Sequence, residues 1–279
     1  MIDNLTLDEL IDRVLTEDWG TGDVTTLCTV AADREISGRL IAKEAGVVCG
    51  LGVVERVFHK LDATIVFAPA VHDGQAVEKG TVLARVSGNA RAILVGERTA
   101  LNFLQRLSGI ASRTAQAVAA VAGTGAHITD TRKTTPGLRV LEKYAVRCGG
   151  GSNHRFNLSD GVLIKDNHIA AAGGITAAVR AARAHAPHTL KIEVEVEDFD
   201  MLDEALAAGA DIIMLDNMDL EGMAQAVRRV AGRALVEASG NMGDKDLRAV
   251  AATGVNLISI GALTHTVRAM DISLRFDKM

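Results

Sequence analysis

The sequence predicts an α/β protein, and two observations carry the prediction. Beyond residue 127, short apolar β-rich runs alternate with Ala-rich helical stretches, whereas the first third mixes helices with short strands. Alternating βα units with short loops imply a parallel sheet, open or closed into a barrel. No Gly-x-Gly-x-x-Gly opening and no P-loop lysine accompany them, which disfavours a dinucleotide sheet. About six units favour a barrel, closed or incomplete. At 279 residues the chain has material for one large domain or two modest ones.

Taken in order, Thr6-Leu7-Asp8-Glu9 has the capping-box pattern that opens an amphipathic helix, here through about Leu15. Residues 34–48 are β-branched and partly alternating, as strands are. Val54, Val57, Phe58 and Leu61 give residues 51–61 helical spacing. Short strands are expected at 65–67, 76–77 and 82–86, with turns at Asp73-Gly74, Lys79-Gly80 and Ser87-Gly88. This stretch resembles the hairpin module of lipoyl and biotinyl carriers, but no lysine occupies a carrier's hairpin tip, so it reads as scaffold. A long helix is expected over 93–121, broken near Ser108-Gly109. The regular part then predicts strands at 127–129, 162–164, 191–196, 212–215, 234–237 and 257–260. Helices fall between them at 138–146, 175–185, 198–208, 220–230 and 245–252.

Composition excludes several classes of function. Apolar residues at 48% and charged residues at 23% are an ordinary globular balance. Thirty Lys and Arg against 35 Asp and Glu leave a charge of -5, which speaks against a general nucleic-acid binder. Aromatics are 3%, with Trp19 and Tyr144 each the single residue of its type, so a base-stacking platform is not expected. No run reaches the roughly 18 apolar residues of a membrane span, and Met1-Ile2-Asp3-Asn4 does not open a secretory leader. Cys28, Cys49 and Cys148 are odd in number and far apart, as in a reducing cytosol, and read as small buried hydrophobes. The expectation is a soluble cytoplasmic protein without a membrane or nucleic-acid partner.

Polar residues follow nearly every predicted strand of the regular part: Asp130-Thr131-Arg132-Lys133, Lys165-Asp166-Asn167-His168, Glu195, Asp216-Asn217, Ser239-Gly240-Asn241 and Gly261. Successive strands of a βα barrel present their carboxyl ends on one face, where active sites are built. Asp198, Asp219 and Asp244 read as helix caps. Capping does not explain the others, lysine and arginine among them. Arg132, Lys133, His154, Arg155 and Lys165 fall within one short stretch and imply an anion pocket, since arginine forks grip carboxylate or phosphate and lysine adds a point charge. Gly149-Gly150-Gly151, Gly240 and Gly261 offer backbone donors to phosphate. Glu195 and Asp216 suit ribose hydroxyls or a hard divalent ion such as Mg²⁺. The ligand read from these residues is a highly anionic, sugar-containing small molecule.

The motifs Asp130-Thr131-Arg132-Lys133-Thr134-Thr135-Pro136-Gly137, Lys143-Tyr144-Ala145-Val146, Gly149-Gly150-Gly151-Ser152-Asn153-His154-Arg155 and Leu163-Ile164-Lys165-Asp166-Asn167-His168 resemble quinolinate phosphoribosyltransferase. Glu97-Arg98-Thr99-Ala100-Leu101-Asn102, Leu107-Ser108-Gly109-Ile110-Ala111, Glu193-Val194-Glu195, Leu215-Asp216-Asn217, Glu237-Ala238-Ser239-Gly240 and Gly261-Ala262-Leu263-Thr264-His265 extend the likeness essentially end to end. The resemblance implies an N-terminal α/β sandwich domain (1–107, joined by 266–279) and an incomplete, open α/β barrel (108–265) with its site at the carboxyl ends of the strands. It implies the reaction of quinolinate with phosphoribosyl pyrophosphate to nicotinate mononucleotide, pyrophosphate and CO₂, with Mg²⁺, in de novo NAD biosynthesis. It further implies a homodimer or larger homo-oligomer, Arg98 completing the partner's site.

Roles follow from the same resemblance. Arg98, Arg132, His154, Arg155 and Lys165 hold the quinolinate carboxylates. Lys133, with Ser239-Gly240-Asn241, Ile260-Gly261-Ala262 and His265, takes the phosphates, and Thr131 is a further substrate-binding residue; Asn241 departs from the third small residue some relatives carry. Glu195 and Asp216 bind ribose hydroxyls and Mg²⁺. The expected catalytic set is Lys133, Lys165, Glu195 and Asp216. His168 reads as a loop histidine behind the site. Three rivals stand beside this reading, one of them a non-enzymatic barrel that only senses a metabolite and would bind ligand without releasing pyrophosphate. A molybdenum-associated relative shares the Thr-Arg-Lys-Thr and His-Arg motifs but diverges at Lys165-Asp166-Asn167-His168. A Schiff-base aldolase with Lys165 as nucleophile gives no reason for so many anion binders.

Overall fold

The computed structural model describes residues 4–277, which group into two compact units. Met1-Ile2-Asp3, the start of the segment read above for a leader, lies outside the described residues, as do the last two of the carboxyl-terminal return. The first unit comprises Met1–Ala115, Pro136–Gly150 and Val267–Met279; the second comprises Gln116–Thr135 and Gly151–Thr266. No helix of the described residues is long and apolar enough to cross a membrane.

The first unit opens with α1 (Asn4–Trp19) and α2 (Val24–Thr29), the latter capped by Asp23, whose carboxylate accepts from Thr26 N. Next come β1 (Glu35–Ala42), β2 (Gly46–Val47), α3 (Leu51–Leu61), β3 (Val66–Pro69), β4 (Ala76–Val77), β5 (Val82–Asn89) and α4 (Ala90–Ala120). Because α1 starts at Asn4, Thr6 lies within the helix and is not its N-cap. The apolar stripe of α3 buries Val53, Val54, Val57 and Phe58, each such side chain contributing roughly 1.5–3 kcal/mol relative to exposure. Phe58 stacks tilted on Phe67 of β3, with ring centroids 6.4 Å apart.

Helix α4 is unbroken across Ser108-Gly109, contrary to the sequence expectation. Neither residue ends the helix, since each serves packing. The Ser108 hydroxyl accepts from Cys49 N at 2.9 Å, and a Cβ at Gly109 would sit 2.3 Å from Arg268 O. A gap in the apolar pattern here is a place where backbone approaches the helix.

The second unit begins with β6 (His127–Thr129). The chain then crosses to the first unit for α5 (Arg139–Cys148) and returns for β7 (Val162–Ile164), α6 (Asp166–Ala172), α7 (Ile175–His185) and β8 (Ile192–Val196). It continues through α8 (Phe199–Ala208), β9 (Ile212–Asp216), α9 (Leu220–Val230), β10 (Leu235–Ser239), a 3₁₀ turn at Met242–Asp244, α10 (Leu247–Ala252), β11 (Leu257–Ser259) and α11 (Ala262–His265). Asp198, Asp219 and Asp246 cap α8, α9 and α10 through their carboxylates, so the last cap falls at Asp246 and not at Asp244. The six strands pair in parallel in the order β6-β11-β10-β9-β8-β7. Strands β6 and β7 do not pair, so this is an open barrel. β12 (Ile272–Phe276) ends the chain in the first unit, antiparallel to β1 in a sheet ordered β12-β1-β5-β3.

Candidate active site

Period-two alternation decides which strand residues look inward. On β8 it aligns Glu193 with Glu195, and on β10 Glu237 with Ser239, so each strand carries one polar residue near its middle and one at its carboxyl end. The two levels differ in solvent access. Glu193 and Glu237 are buried, while Glu195 and Ser239 are part-exposed.

At the upper level a cavity of about 260 Å³ is lined by Thr131, Arg132, Lys133, His154, Arg155, Lys165 and Ser239, among others. A larger cavity of about 810 Å³ in the first unit, against β1 and Phe276, lacks such a convergence of charge. Convergent chemistry, not volume, marks the site.

Each cation has a local reason for its position. Buried Asp130 accepts from the backbone of His154 at 2.8 Å and so fixes the His154-Arg155 loop beside the end of β6. The Thr131 hydroxyl accepts from Lys133 N at 3.0 Å, and the Thr264 hydroxyl donates to Lys133 O at 2.8 Å, which sets the Lys133 turn. A Cβ at Gly261 would stand 3.0 Å from Lys133 Cδ and 3.1 Å from His265 Cδ2. Gly261 therefore makes room for both side chains. Lys165 follows β7 and pairs its ammonium with Glu195 of β8. Its backbone N–H donates to His168 Nδ1 at 3.1 Å, so His168 caps α6 from behind the site.

Arg155 donates to Gly161 O at 3.1 Å, and its Nε is buried without a hydrogen-bond partner. Burial and the neighbouring Arg132 charge hold its guanidinium below the usual arginine range. Two guanidiniums this close repel, and a bound dianion relieves the repulsion.

Asp216 ends β9 opposite Ser239 of β10, and Asn217 Nδ2 donates to its carboxylate at 2.8 Å. Asn217 (φ 56°) and Asn241 (φ 52°) are two of three non-glycine residues with positive φ among the described residues, and both lie at these strand ends. Ile260 is buried with its N–H bonded to Thr129 O at 3.0 Å, so that amide belongs to the sheet. Ala262 opens α11, and His265 closes it with an exposed side chain. Arg98 belongs to the first unit, exposed on α4.

Two readings of the sequence need revision. Gly149 is a packing residue: a Cβ there would lie 2.4 Å from Ala111 O and 2.6 Å from Thr114 Cβ, so it lets α5 end against α4. The lower level of the barrel was missed. His154 Nε2 lies 3.2 Å from Glu193 Oε2 and 3.6 Å from Glu237 Oε1. Burial and the Glu193 charge push Glu237 up to about 7. Burial opposes charge on His154, yet its hydrogen bond to Glu193 and the Glu237 charge prevail and hold it above the usual histidine range. The legible signal was a glutamate two positions before the polar residue at the carboxyl end of each of two strands.

Comparison with known proteins decides the family. Residues 23–108 match the quinolinate phosphoribosyl transferase N-terminal domain, and residues 110–275 match the C-terminal domain of the same family. The chain belongs to the quinolinate phosphoribosyl transferase family. It is 45% identical over 273 residues to the probable nicotinate-nucleotide pyrophosphorylase [carboxylating] of Bacillus subtilis, spanning 98% of this chain and 94% of that protein. The corresponding protein of Mycobacterium leprae is 44% identical over 274 residues, 95% of each chain. A solved nicotinate-nucleotide pyrophosphorylase from Francisella tularensis superposes with a TM-score of 0.94 at 40% identity, covering 99% of this chain and 98% of that one. The unclosed barrel and the antiparallel first sheet are thus those of a quinolinate phosphoribosyl transferase.

Proposed function

We propose that this chain transfers the phosphoribosyl group of phosphoribosyl pyrophosphate to the ring nitrogen of quinolinate, releasing pyrophosphate and CO₂ and forming nicotinate mononucleotide for NAD biosynthesis. One observation carries the reading: Arg132, Lys133, Arg155 and Lys165 converge on a single cavity next to the Glu195 carboxylate. Both substrates are polyanions, and that is the ligand such a cavity selects.

In this reading Arg132, Arg155 and Lys165 hold the quinolinate carboxylates, and His154 fixes the Arg155 segment beside them. Lys133, with the Ser239-Gly240-Asn241 turn, Gly261-Ala262 and His265, takes the phosphates. Glu195 and Asp216 bind ribose hydroxyls and stabilise positive charge at the anomeric carbon as pyrophosphate departs. The pyridine nitrogen attacks that carbon. The resulting pyridinium draws the electron pair of the adjacent carboxylate's C–C bond into the ring, CO₂ leaves, and a proton takes its place. The site supplies positioning and charge, and no covalent enzyme intermediate is needed. Lys165, ion-paired with Glu195, serves as a cation and not as a Schiff-base nucleophile.

Glu195 and Asp216 also fit Mg²⁺: two part-exposed carboxylates on neighbouring strands are a hard donor set that leaves room for substrate oxygens. When bound, the ion offsets charge on the leaving pyrophosphate. We further propose a homodimer in which exposed Arg98 completes the partner's site, in the cytoplasm, where the three free thiols suit a reducing milieu. The test is pyrophosphate release with and without quinolinate. Strict dependence on quinolinate and one CO₂ per turnover are expected; release with phosphoribosyl pyrophosphate alone, or ligand binding without release, overturns the reading.

A further inference from the structure

The first unit contains a sulfur cluster that the proposed reaction does not use. Cys49 Sγ, Cys148 Sγ and a carboxylate oxygen of Asp73 all lie within 4.8 Å of one another. Neither cysteine is there by loose packing. The Cys49 backbone is clamped to α4, its N–H donating to Ser108 Oγ at 2.9 Å and its carbonyl accepting from the same hydroxyl at 3.3 Å. Cys148 is the last residue of α5, and the Asp73-Gly74 turn lies under it. A Cβ at Gly74, already at φ +88°, would come 3.3 Å from Cys148 O. Tyr144, one turn earlier on α5, donates its hydroxyl to Asp73 Oδ2 at 2.8 Å.

The same contacts argue against a metal. Asp73 Oδ1 accepts from Gly50 N and Leu51 N at 2.9 and 3.1 Å, and Oδ2 accepts from Tyr144, so the carboxylate is already satisfied. Two thiols alone fall short of the four ligands of a structural zinc site. The sulfurs do differ in a way that suits chemistry with each other: Cys49 is fully buried, whereas Cys148 is part-exposed.

We infer that Cys148 and Cys49 form a thiol–disulfide exchange centre for low-molecular-weight disulfides, with Cys148 attacking and Cys49 resolving. In the first step the Cys148 thiolate bonds to one sulfur of a small disulfide and expels its other half as a thiolate. In the second, Cys49 bonds to the Cys148 sulfur and expels the remaining half, whose departing sulfur takes up the Cys49 proton. Two small thiols are released as the Cys49–Cys148 bond forms, so the small disulfide is reduced and the protein pair oxidised. The microenvironments agree with this order. The neighbouring Cys49 thiol, with the Arg147 charge assisting, holds Cys148 below the usual thiol range, and the neighbouring Cys148 together with burial holds Cys49 far above it.

The test uses the full chain carrying Cys28→Ser, because Cys28 is exposed and would react on its own. After incubation with oxidised glutathione, intact mass should fall by two hydrogens with no retained adduct. A non-reducing digest should contain one cross-linked peptide joining Cys49 and Cys148, cleaved by dithiothreitol. Adding Cys49→Ala or Cys49→Ser should trap one glutathione on Cys148, and adding Cys148→Ser should lose both cross-link and adduct. A stable adduct in the Cys28→Ser protein without a cross-link, an unreactive Cys148, or purified protein holding stoichiometric zinc that blocks oxidation would overturn the inference.

Discussion

His154 Nε2 stands 3.2 Å from Glu193 Oε2, in the lining of the cavity where the arginines and lysines converge. Its other ring nitrogen, Nδ1, accepts from Arg155 N at 2.8 Å. The imidazole is therefore held from both sides, with its proton directed at a buried carboxylate. His154 fixes the start of the Arg155 segment, and its ring is held toward the buried glutamates.

This arrangement gives stability a pH dependence of definite sign. Glu237 is pushed up to about 7 and His154 lies above the usual histidine range. Both groups thus bind protons more tightly in the folded chain than in the unfolded one. Their contribution is full in acid and declines as pH rises through these folded-state values. Denaturant midpoints between about pH 5 and about pH 8 should fall with pH, and Glu237→Gln should flatten the slope. An equal slope in the variant would remove Glu237 from the linkage.

Arg132→Ala and Lys165→Ala should each lower kcat by at least about 100-fold, because each removes a charge placed where substrate anions must sit. Both residues lie in loops or strand ends at the cavity and not in the core, so circular dichroism and the thermal midpoint should stay close to wild type. Near-normal turnover in both would dissolve the assignment of the pocket.

Gly240 carries two demands at once. It has φ +93°, and a Cβ there would fall 2.2 Å from Asn217 Oδ1. Gly209, at φ +84° with open space around it, carries only the first. Gly209→Ala should therefore cost on the order of 1 kcal/mol from backbone strain, and Gly240→Ala about 3 kcal/mol or more. Urea denaturation of the pair measures the difference. Gly240→Ala should also raise KM, since Asn217 holds the Asp216 carboxylate.

The proposed sharing of Arg98 between subunits has its own test. Arg98→Ala and Lys165→Ala should each be nearly inactive alone. Mixed in equal amounts and allowed to exchange subunits, they should recover roughly a quarter of wild-type activity, because half the dimers then hold one intact site. No recovery despite demonstrated exchange would place Arg98 outside the partner's site.

The sequence by itself determined the alternation of strands and helices in the second unit. Those elements depend on local periodicity and local caps, and helices Ile175–His185 and Leu220–Val230 follow their predicted bounds. It also determined the polar strand ends, since one βα unit after another returns the chain to the same face. Only the tertiary structure decided what non-adjacent strands bury together. Glu193 and Glu237 become partners of His154 because the β8-β9-β10 order brings them around one interior, and no spacing along the chain encodes that meeting. For the same reason the glycine of Ser108-Gly109 looked like a helix break, and Gly149 looked like a phosphate cradle. Both answer to backbone from another segment, whose approach is a matter of packing in three dimensions. Cys49 and Cys148, ninety-nine positions apart (148 − 49), met for that reason too.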